Sequence, residues 1–167
     1  KRCRSSIRPR LDGVSVVYGS DASDCAIRRV LVSLIQRAPA VNRLLEALPS
    51  TDLRRLLADC ETVELAFADV LYRPRERLSH VYFPLSGFIS LIMQVDDSSS
   101  LEVGLIGNEG MFGIPLSLGV DVAPVRAVVQ GAGSALRMGA APFCRELARS
   151  QALQREVDRY AFVHLSQ

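Results

Sequence analysis

Apolar and polar positions along the chain predict helices at both ends and strands between them. From Ser23, a good N-cap residue, apolar side chains recur every three or four positions until Pro39 ends the helix. The same spacing returns briefly over residues 42–48, and Ser50 is expected to cap another helix. The spacing predicts that this last helix buries Leu53, Leu56 and Leu57.

After Cys60 the apolar period shortens to two residues, which is typical of strands. The clearest alternation covers residues 89–95 and 101–105, on either side of a polar turn at residues 96–100. Because side chains alternate between the two faces of a strand, these segments predict a hairpin with one buried face.

Alternation returns over residues 125–129 and 135–138, with Gly131 and Gly133 between them. Glycine favours tight turns, so the pattern predicts a second hairpin. Several short strands separated by polar turns favour an antiparallel sheet that closes into a barrel or packs as a sandwich.

Two helices are predicted at the end of the chain, over residues 141–150 and 153–165. One stripe of the second helix has near-heptad spacing, which favours a partner helix in a homodimer. Packing of the stripe onto the chain's own sheet explains the same spacing. The candidate interface residues on this stripe are Leu153, Val157, Tyr160 and His164.

Composition and the cysteine pattern narrow the class of protein and its expected compartment. The 167 residues are 49% hydrophobic with a net charge of +2, and no apolar run approaches the ~20 residues that cross a bilayer. The chain starts at Lys1 and nothing in it resembles a signal peptide, so a cytoplasmic protein without a membrane segment is expected. The cysteines are too dispersed for a zinc site or a disulfide scaffold, and free thiols are predicted at Cys3, Cys25, Cys60 and Cys144.

Neither a catalytic residue nor a metal site is predicted. The chain has two histidines, His80 and His164, far apart and without a His-x-His pair. It also lacks a Gly-x-Ser-x-Gly elbow and a Walker loop. A metalloenzyme of the cupin type, which shares a jelly-roll architecture, remains the enzymatic alternative.

Three short motifs, taken in order, carry a family resemblance. They are VYFPLSG at residues 81–87, GNEGMFG at residues 107–113 and RAVVQ at residues 126–130. With the order of the predicted elements, they make the chain from about Leu44 onward resemble the sensor domain of Crp/Fnr-family transcription regulators.

The resemblance implies a mainly β fold with flanking helices. The implied fold is an eight-stranded antiparallel β jelly roll of the cyclic-nucleotide-binding type, with N-terminal helices and a C-terminal dimerisation helix. On this basis residues 1–38 form an N-terminal arm and helix, residues 39–150 form the sensor domain, and residues 151–167 begin the dimerisation helix. The implied partners are a second copy of the chain and DNA, the latter through a helix-turn-helix expected beyond Gln167.

The resemblance also implies a phosphate-binding cassette near residues 112–116. Gly113 matches the glycine that opens the family's cassette. Ile114 stands where the family places a glutamate that accepts from the ribose hydroxyl, and Pro115 lacks a backbone donor for a phosphate. Gly113 and Ile114 are the candidate ligand-binding residues of this segment.

The second half of the candidate site lies on the strand that begins near Val125. Alignment with the family places Val125 at the position of its arginine and Arg126 at that of its hydroxyl residue. Arg126 and Ala127 are the candidate ligand-binding residues here, with Arg126 either reaching a phosphate or pointing into solvent. Cyclic AMP, another cyclic nucleotide, a different small anionic or apolar effector, and no effector all stay open.

The predicted function is that of a sensor domain of a bacterial transcription regulator. A signal near residues 112–116 and Arg126 would shift the helix from Leu153 onward and thereby a DNA-binding domain. A stand-alone module that binds another protein is the alternative outside the enzyme class.

Overall fold

The computed structural model describes residues 41–96 and 99–165. The arm and helix predicted within residues 1–38 lie outside the described residues, and the proposed domain boundaries stay predictions. In chain order the elements are α1 Arg43–Glu46, α2 Ser50–Ala58, β1 Cys60–Leu65, β2 Val70–Tyr72, β3 His80–Gln94, β4 Ser100–Ile106, α3 Ile114–Ser117, β5 Arg126–Gly139, α4 Ala140–Arg149 and α5 Gln151–Leu165.

All strand pairings within these residues are antiparallel. The strands are ordered β1, β5, β3, β4, and β2 adds to β5 outside this sequence of neighbours. Helices precede and follow the sheet, so the predicted fold class is confirmed. The core between sheet and helices includes the fully buried side chains of Phe83, Ile89, Val129, Phe143 and Val157.

The prediction of a hairpin around Gly131 and Gly133 is wrong. Residues 126–139 form the single long strand β5, and the two glycines lie in its middle. There β5 runs very close to β3, because a side chain at Gly133 would overlap the Ser86 carbonyl and one at Gly131 would overlap the Phe88 ring. These glycines permit a close approach of two strands rather than a turn.

The same region accounts for part of the difference between the five strands found in the described residues and the eight that the resemblance implied. The pairing of β3 with β5 changes register three times between Pro84 and Ile89, and Gly87 has a φ of +73°. Register shifts of this kind bend a strand without ending it. Two long bent strands therefore occupy positions that shorter, separate strands would fill.

The hairpin of β3 and β4 exists, but its single buried face was predicted wrongly. A register shift after Leu91 places Leu101 opposite Met93 and Leu105 opposite Ser90. Since adjacent residues of β3 face opposite sides, Leu101 and Leu105 lie on different faces of the sheet. Towards the tip, the apolar side chains stay exposed, as for Met93, Val95, Leu101, Val103 and Leu105.

The helices largely follow the predicted positions. Asn42 caps α1 by accepting a hydrogen bond from the backbone N–H of Leu45 at 3.2 Å. Ser50 begins α2, but Pro49 occupies its N-cap, and Leu57 is exposed rather than buried. In the part of the chain that the structure describes, no helix is both long and apolar enough to cross a membrane.

The close approach of β3 and β5 can be tested with Gly133→Val. The added side chain collides with backbone atoms of Ser86, which cannot rotate away, so we expect a loss of roughly 1–3 kcal/mol in the free energy of unfolding. Urea unfolding followed by circular dichroism measures this difference. Ala132→Val is the matched control, because Ala132 is exposed on the same strand. Equal unfolding free energies for the two variants would contradict the described packing.

Candidate effector site

The segment between β4 and β5 contains the predicted cassette. Gly113 is buried, has a φ of +118° and precedes the one-turn helix α3. A side chain at this position would overlap Val81 of β3, so both the backbone angle and the packing require glycine. The cassette is thereby held directly against the sheet.

A cavity of about 320 Å³ lies between the sheet, α3 and α5. Its floor is buried, whereas Leu118 and Val120 at its edge are 65% and 45% exposed. The described residues that line it are Leu91, Ile106, Met111, Phe112, Gly113, Ile114, Pro115, Leu118, Val120, Pro124, Val125, Ala161 and His164. We refer to this space as the cassette cavity.

Two of the four candidate ligand-binding residues line the cassette cavity, namely Gly113 and Ile114. Ala127 is fully buried in the core, and Arg126 is exposed; neither is among the lining residues. Val125 does line the cavity. Around the start of β5, Val125 therefore lies at the cavity and Arg126 is exposed to solvent. The ligand role of the four candidate residues stays a prediction.

The described lining of the cassette cavity contains neither arginine nor lysine. His164, near the end of α5, is its one ionisable side chain among those residues. Its ring packs 5.8 Å from that of Tyr160 and close to the backbone of Gly104. The chemistry of the cavity is therefore that of an apolar surface with one imidazole.

Helix α5 packs on the sheet of its own chain. Leu153 and Val157 are 1% and 0% exposed, so these two candidate interface residues have no surface left for a partner in this conformation. Ala161 continues the buried stripe, while Tyr160 and His164 are half-buried. Packing onto the chain's own sheet is therefore the observed explanation for the first part of the stripe.

Tyr160 is half-buried, and its buried hydroxyl has no hydrogen-bond partner. Its ring lies directly over Gly110, where a side chain would collide with it. Its hydroxyl is buried next to the Met111 backbone without forming a hydrogen bond. Burial, followed by the nearby Glu109 carboxylate, raises the pKa of Tyr160, and a neutral phenol is expected throughout the physiological range.

The beginning of α5 is held by a polar network that we call the α5 clamp, formed by Asp52, Arg55, Glu146 and Ser150. The Ser150 hydroxyl donates to Asp52 Oδ2 at 2.6 Å and accepts from the backbone N–H of Leu153 at 3.0 Å. Arg55 donates to Asp52 Oδ1 at 2.8 Å and to the buried Glu146 at 3.3 Å. The clamp therefore joins α2, α4 and the first turn of α5.

A second cavity of about 320 Å³ lies beside α5. Tyr160 and Val163 line it together with Leu105 of β4, and charged side chains of both signs surround them, including Arg43, Glu109, Glu156 and Arg159. His164 lines both cavities. The last two turns of α5 are thus flanked by open space, whereas its first turn is clamped.

The remaining histidine and the cysteines of the described residues show no arrangement that indicates catalysis or metal binding. His80 Nδ1 lies 2.9 Å from the Ser79 hydroxyl, and its backbone N–H donates to the Tyr72 hydroxyl. Cys60 and Cys144 are free thiols, and burial raises the pKa of Cys60 to about 11. Within residues 41–96 and 99–165, no three His, Cys, Asp or Glu side chains are grouped so as to hold a metal ion.

Comparison with known proteins gives matches in structure alone. No family model matches the chain, and no curated protein matches its sequence. Among solved structures, the sensor domain of the transcriptional regulator DNR from Pseudomonas aeruginosa matches with a TM-score of 0.58 at 17% identity, covering 75% of this chain and 94% of that one. A cyclic nucleotide-binding-like protein from Brucella abortus matches with a TM-score of 0.53 at 21% identity, covering 63% and 90%.

The chain has the cyclic-nucleotide-binding-like jelly-roll fold. The catabolite activator protein of Thermus thermophilus shares it with a TM-score of 0.62 at 14% identity, covering 74% of this chain and 58% of that protein. The chain thus spans little more than half of that regulator. These neighbours are described as regulators or nucleotide-binding-like proteins rather than enzymes. The jelly-roll fold predicted from the three motifs is confirmed.

Removing the hydroxyl of the α5 clamp tests how the last helix is anchored. Ser150→Ala removes the side-chain cap of α5 and leaves Asp52 without one partner, so we expect a loss of about 0.5–2 kcal/mol in the free energy of unfolding. Chemical denaturation measures it. Ser150→Thr keeps a hydroxyl and should recover part of the loss; a Thr variant no better than Ala would count against the capping role.

The α5 clamp also predicts a dependence on pH. The hydrogen bond from Ser150 and the charge of Arg55 hold the pKa of Asp52 below its ordinary value. A lowered carboxyl pKa stabilises the fold above the unfolded-state pKa of about 3.9, and this contribution disappears as the pH falls through the lower folded-state pKa. The stability difference between the parent and Asp52→Asn should therefore narrow on acidification. Glu64→Gln, an exposed carboxylate on β1, serves as the control for denaturation curves at several pH values.

Proposed function

We propose that this chain is the sensor domain of a transcription regulator, in which the occupancy of the cassette cavity controls the position of α5. One observation carries the proposal: the cassette and the last helix line the same cavity. Gly113 and Ile114 contribute the cassette side, and Ala161 and His164 contribute the helix side. A ligand between them contacts both elements at once, which is the condition for a binding event to alter the helix.

The mechanics follow from the unequal support of α5. The α5 clamp fixes the first turn through Ser150, while two cavities flank the turns around Tyr160 and His164. A displacement by a ligand therefore acts on the C-terminal turns and leaves the start of the helix in place. Only a few kcal/mol of differential affinity between two helix positions is needed for regulation.

A homodimer in the cytoplasm completes the proposal. The apolar side chains at the tip of the β3–β4 hairpin are exposed, and Leu105 lines a cavity together with Val163 of α5. Leu105 of the hairpin and Val163 of α5 thus lie side by side at one partly apolar surface. A surface of this kind favours a second copy of the chain, in place of Leu153 and Val157, which face inward.

The role in transcription is tested by the coding sequence beyond Gln167. We expect it to encode a helix-turn-helix that follows the helix without a long linker, because the movement of α5 has to reach the DNA-binding element. A stop codon at this point would favour the alternative, a module that regulates another protein by direct contact. Such a module would use the same cavity and helix, and no enzymatic activity is proposed for either.

The homodimer is tested by Val103→Glu. Val103 is 43% exposed on β4, and a carboxylate there would be buried without a partner in a dimer that uses the hairpin. We expect the parent to sediment as a dimer and the variant as a monomer in analytical ultracentrifugation. Thr62→Glu places the same charge on the exposed strand β1 and should leave the dimer intact. A parent that sediments as a monomer would refute this part of the proposal.

A further inference from the structure

We propose that the cassette cavity binds an uncharged, mainly apolar small molecule of about two fused rings in size, and that it does not bind a nucleotide phosphate. The regulatory meaning of this site rests on the function proposed above. The identity of the ligand class rests on the lining of the cavity alone.

The first argument is the absence of groups that would compensate a phosphate. At the three positions where the family resemblance places a carboxylate, a backbone donor and a cation, this chain has Ile114, Pro115 and Val125. All three residues line the cavity, but none of their side chains offers a charge or a hydrogen-bond donor to an anion bound there. The single arginine of that strand segment, Arg126, is exposed and is not among the described lining residues.

The energetic consequence is large. Moving an ionised group into an apolar site without a paired charge is strongly unfavourable, because its hydration is lost and nothing replaces it. In contrast, every apolar atom of a ligand that leaves water contributes favourably to binding. The described walls therefore select against the phosphate and for the uncharged molecule.

The second argument is the shape of the apolar surface. The buried floor, with Ile106 and Met111 at 1% and 0% exposure, continues into exposed apolar side chains at the rim. Leu118 at the rim is 65% exposed. Apolar residues that border a partly open cavity gain by being covered, and a ligand seated in the cavity covers them.

The size of the ligand follows from the volume. A dry apolar cavity of roughly 150 Å³ accommodates one benzene molecule. The cassette cavity, at about 320 Å³, has twice that space. His164 supplies one polar contact at the helix side, so the ligand carries at most one hydrogen-bonding group that faces α5.

N-phenyl-1-naphthylamine, an uncharged aromatic fluorophore with a single N–H, is a suitable probe, because its naphthyl group has the two fused rings of the proposed ligand and its phenyl ring can extend over the open rim at Leu118. We expect its fluorescence to rise on titration with the parent protein and to saturate at one probe per chain. Ile114→Lys places a charge in the cavity and should weaken binding at least tenfold. Ala161→Met fills part of the cavity with an apolar group and should also weaken binding at least tenfold, and a cooperative thermal unfolding transition checks that both variants are folded.

Two control variants exclude other apolar surfaces. Phe67→Lys and Leu57→Lys change apolar side chains that are 70% and 40% exposed and are not among the described lining residues. Both should bind the probe as the parent does. Absence of binding by the parent, or equal binding by the parent and both cavity variants, would overturn the proposed site. Displacement of the probe by cyclic AMP or cyclic GMP below millimolar concentration would overturn the proposed ligand class.

A separate measurement distinguishes the site from its regulatory role. Hydrogen exchange of the backbone amides of α5, with and without the probe, reports whether occupancy changes the helix. We expect altered exchange around Tyr160 and unchanged exchange around Leu153. Saturable binding with no change anywhere in α5 would leave the apolar site intact and refute the function proposed for it.

Discussion

The packing of α5 on the sheet is the interaction on which the other features of this domain depend. Leu153, Val157 and Ala161 bury one stripe of the helix in the core. This single contact closes the cassette cavity on one side and brings His164 beside the cassette. Another side of the helix, with Tyr160 and Val163, lies next to Leu105 of the hairpin. The proposed effector site and the proposed dimer surface thus lie on two sides of one helix.

The sequence predicted the elements better than the connections between them. Periodicity located α2, α4, α5 and the β3–β4 hairpin, because an amphipathic helix or strand repeats its signal over several residues. It failed at Gly131 and Gly133, since a glycine that permits close packing of two strands has the same local signature as a glycine in a turn. It also failed at the tip of the hairpin, where a register shift, invisible in the chain itself, separates Leu101 from Leu105.

At the candidate site, too, local motifs could be predicted from the sequence, whereas contacts between distant segments could not. The motifs directed attention to the segment at residues 112–116, and Gly113 and Ile114 of that segment do line the cavity, while their role in binding stays a prediction. Val125 was identified only as a misfit in the alignment, although it is the residue that lines the cavity, because a shift of one position along a strand exchanges the two faces. Ala161, Met111 and the α5 clamp were missed altogether. Their contribution arises from contacts between distant segments, and a single sequence carries no local signal for those.

The unpaired hydroxyl of Tyr160 bears on how firmly α5 is docked. A buried donor without an acceptor costs about 1–3 kcal/mol, and here that penalty belongs to the docked arrangement. Any arrangement in which the phenol reaches water or a carbonyl is relieved of it. The unpaired hydroxyl therefore lowers the free-energy difference between the docked helix and any arrangement that supplies the phenol with an acceptor.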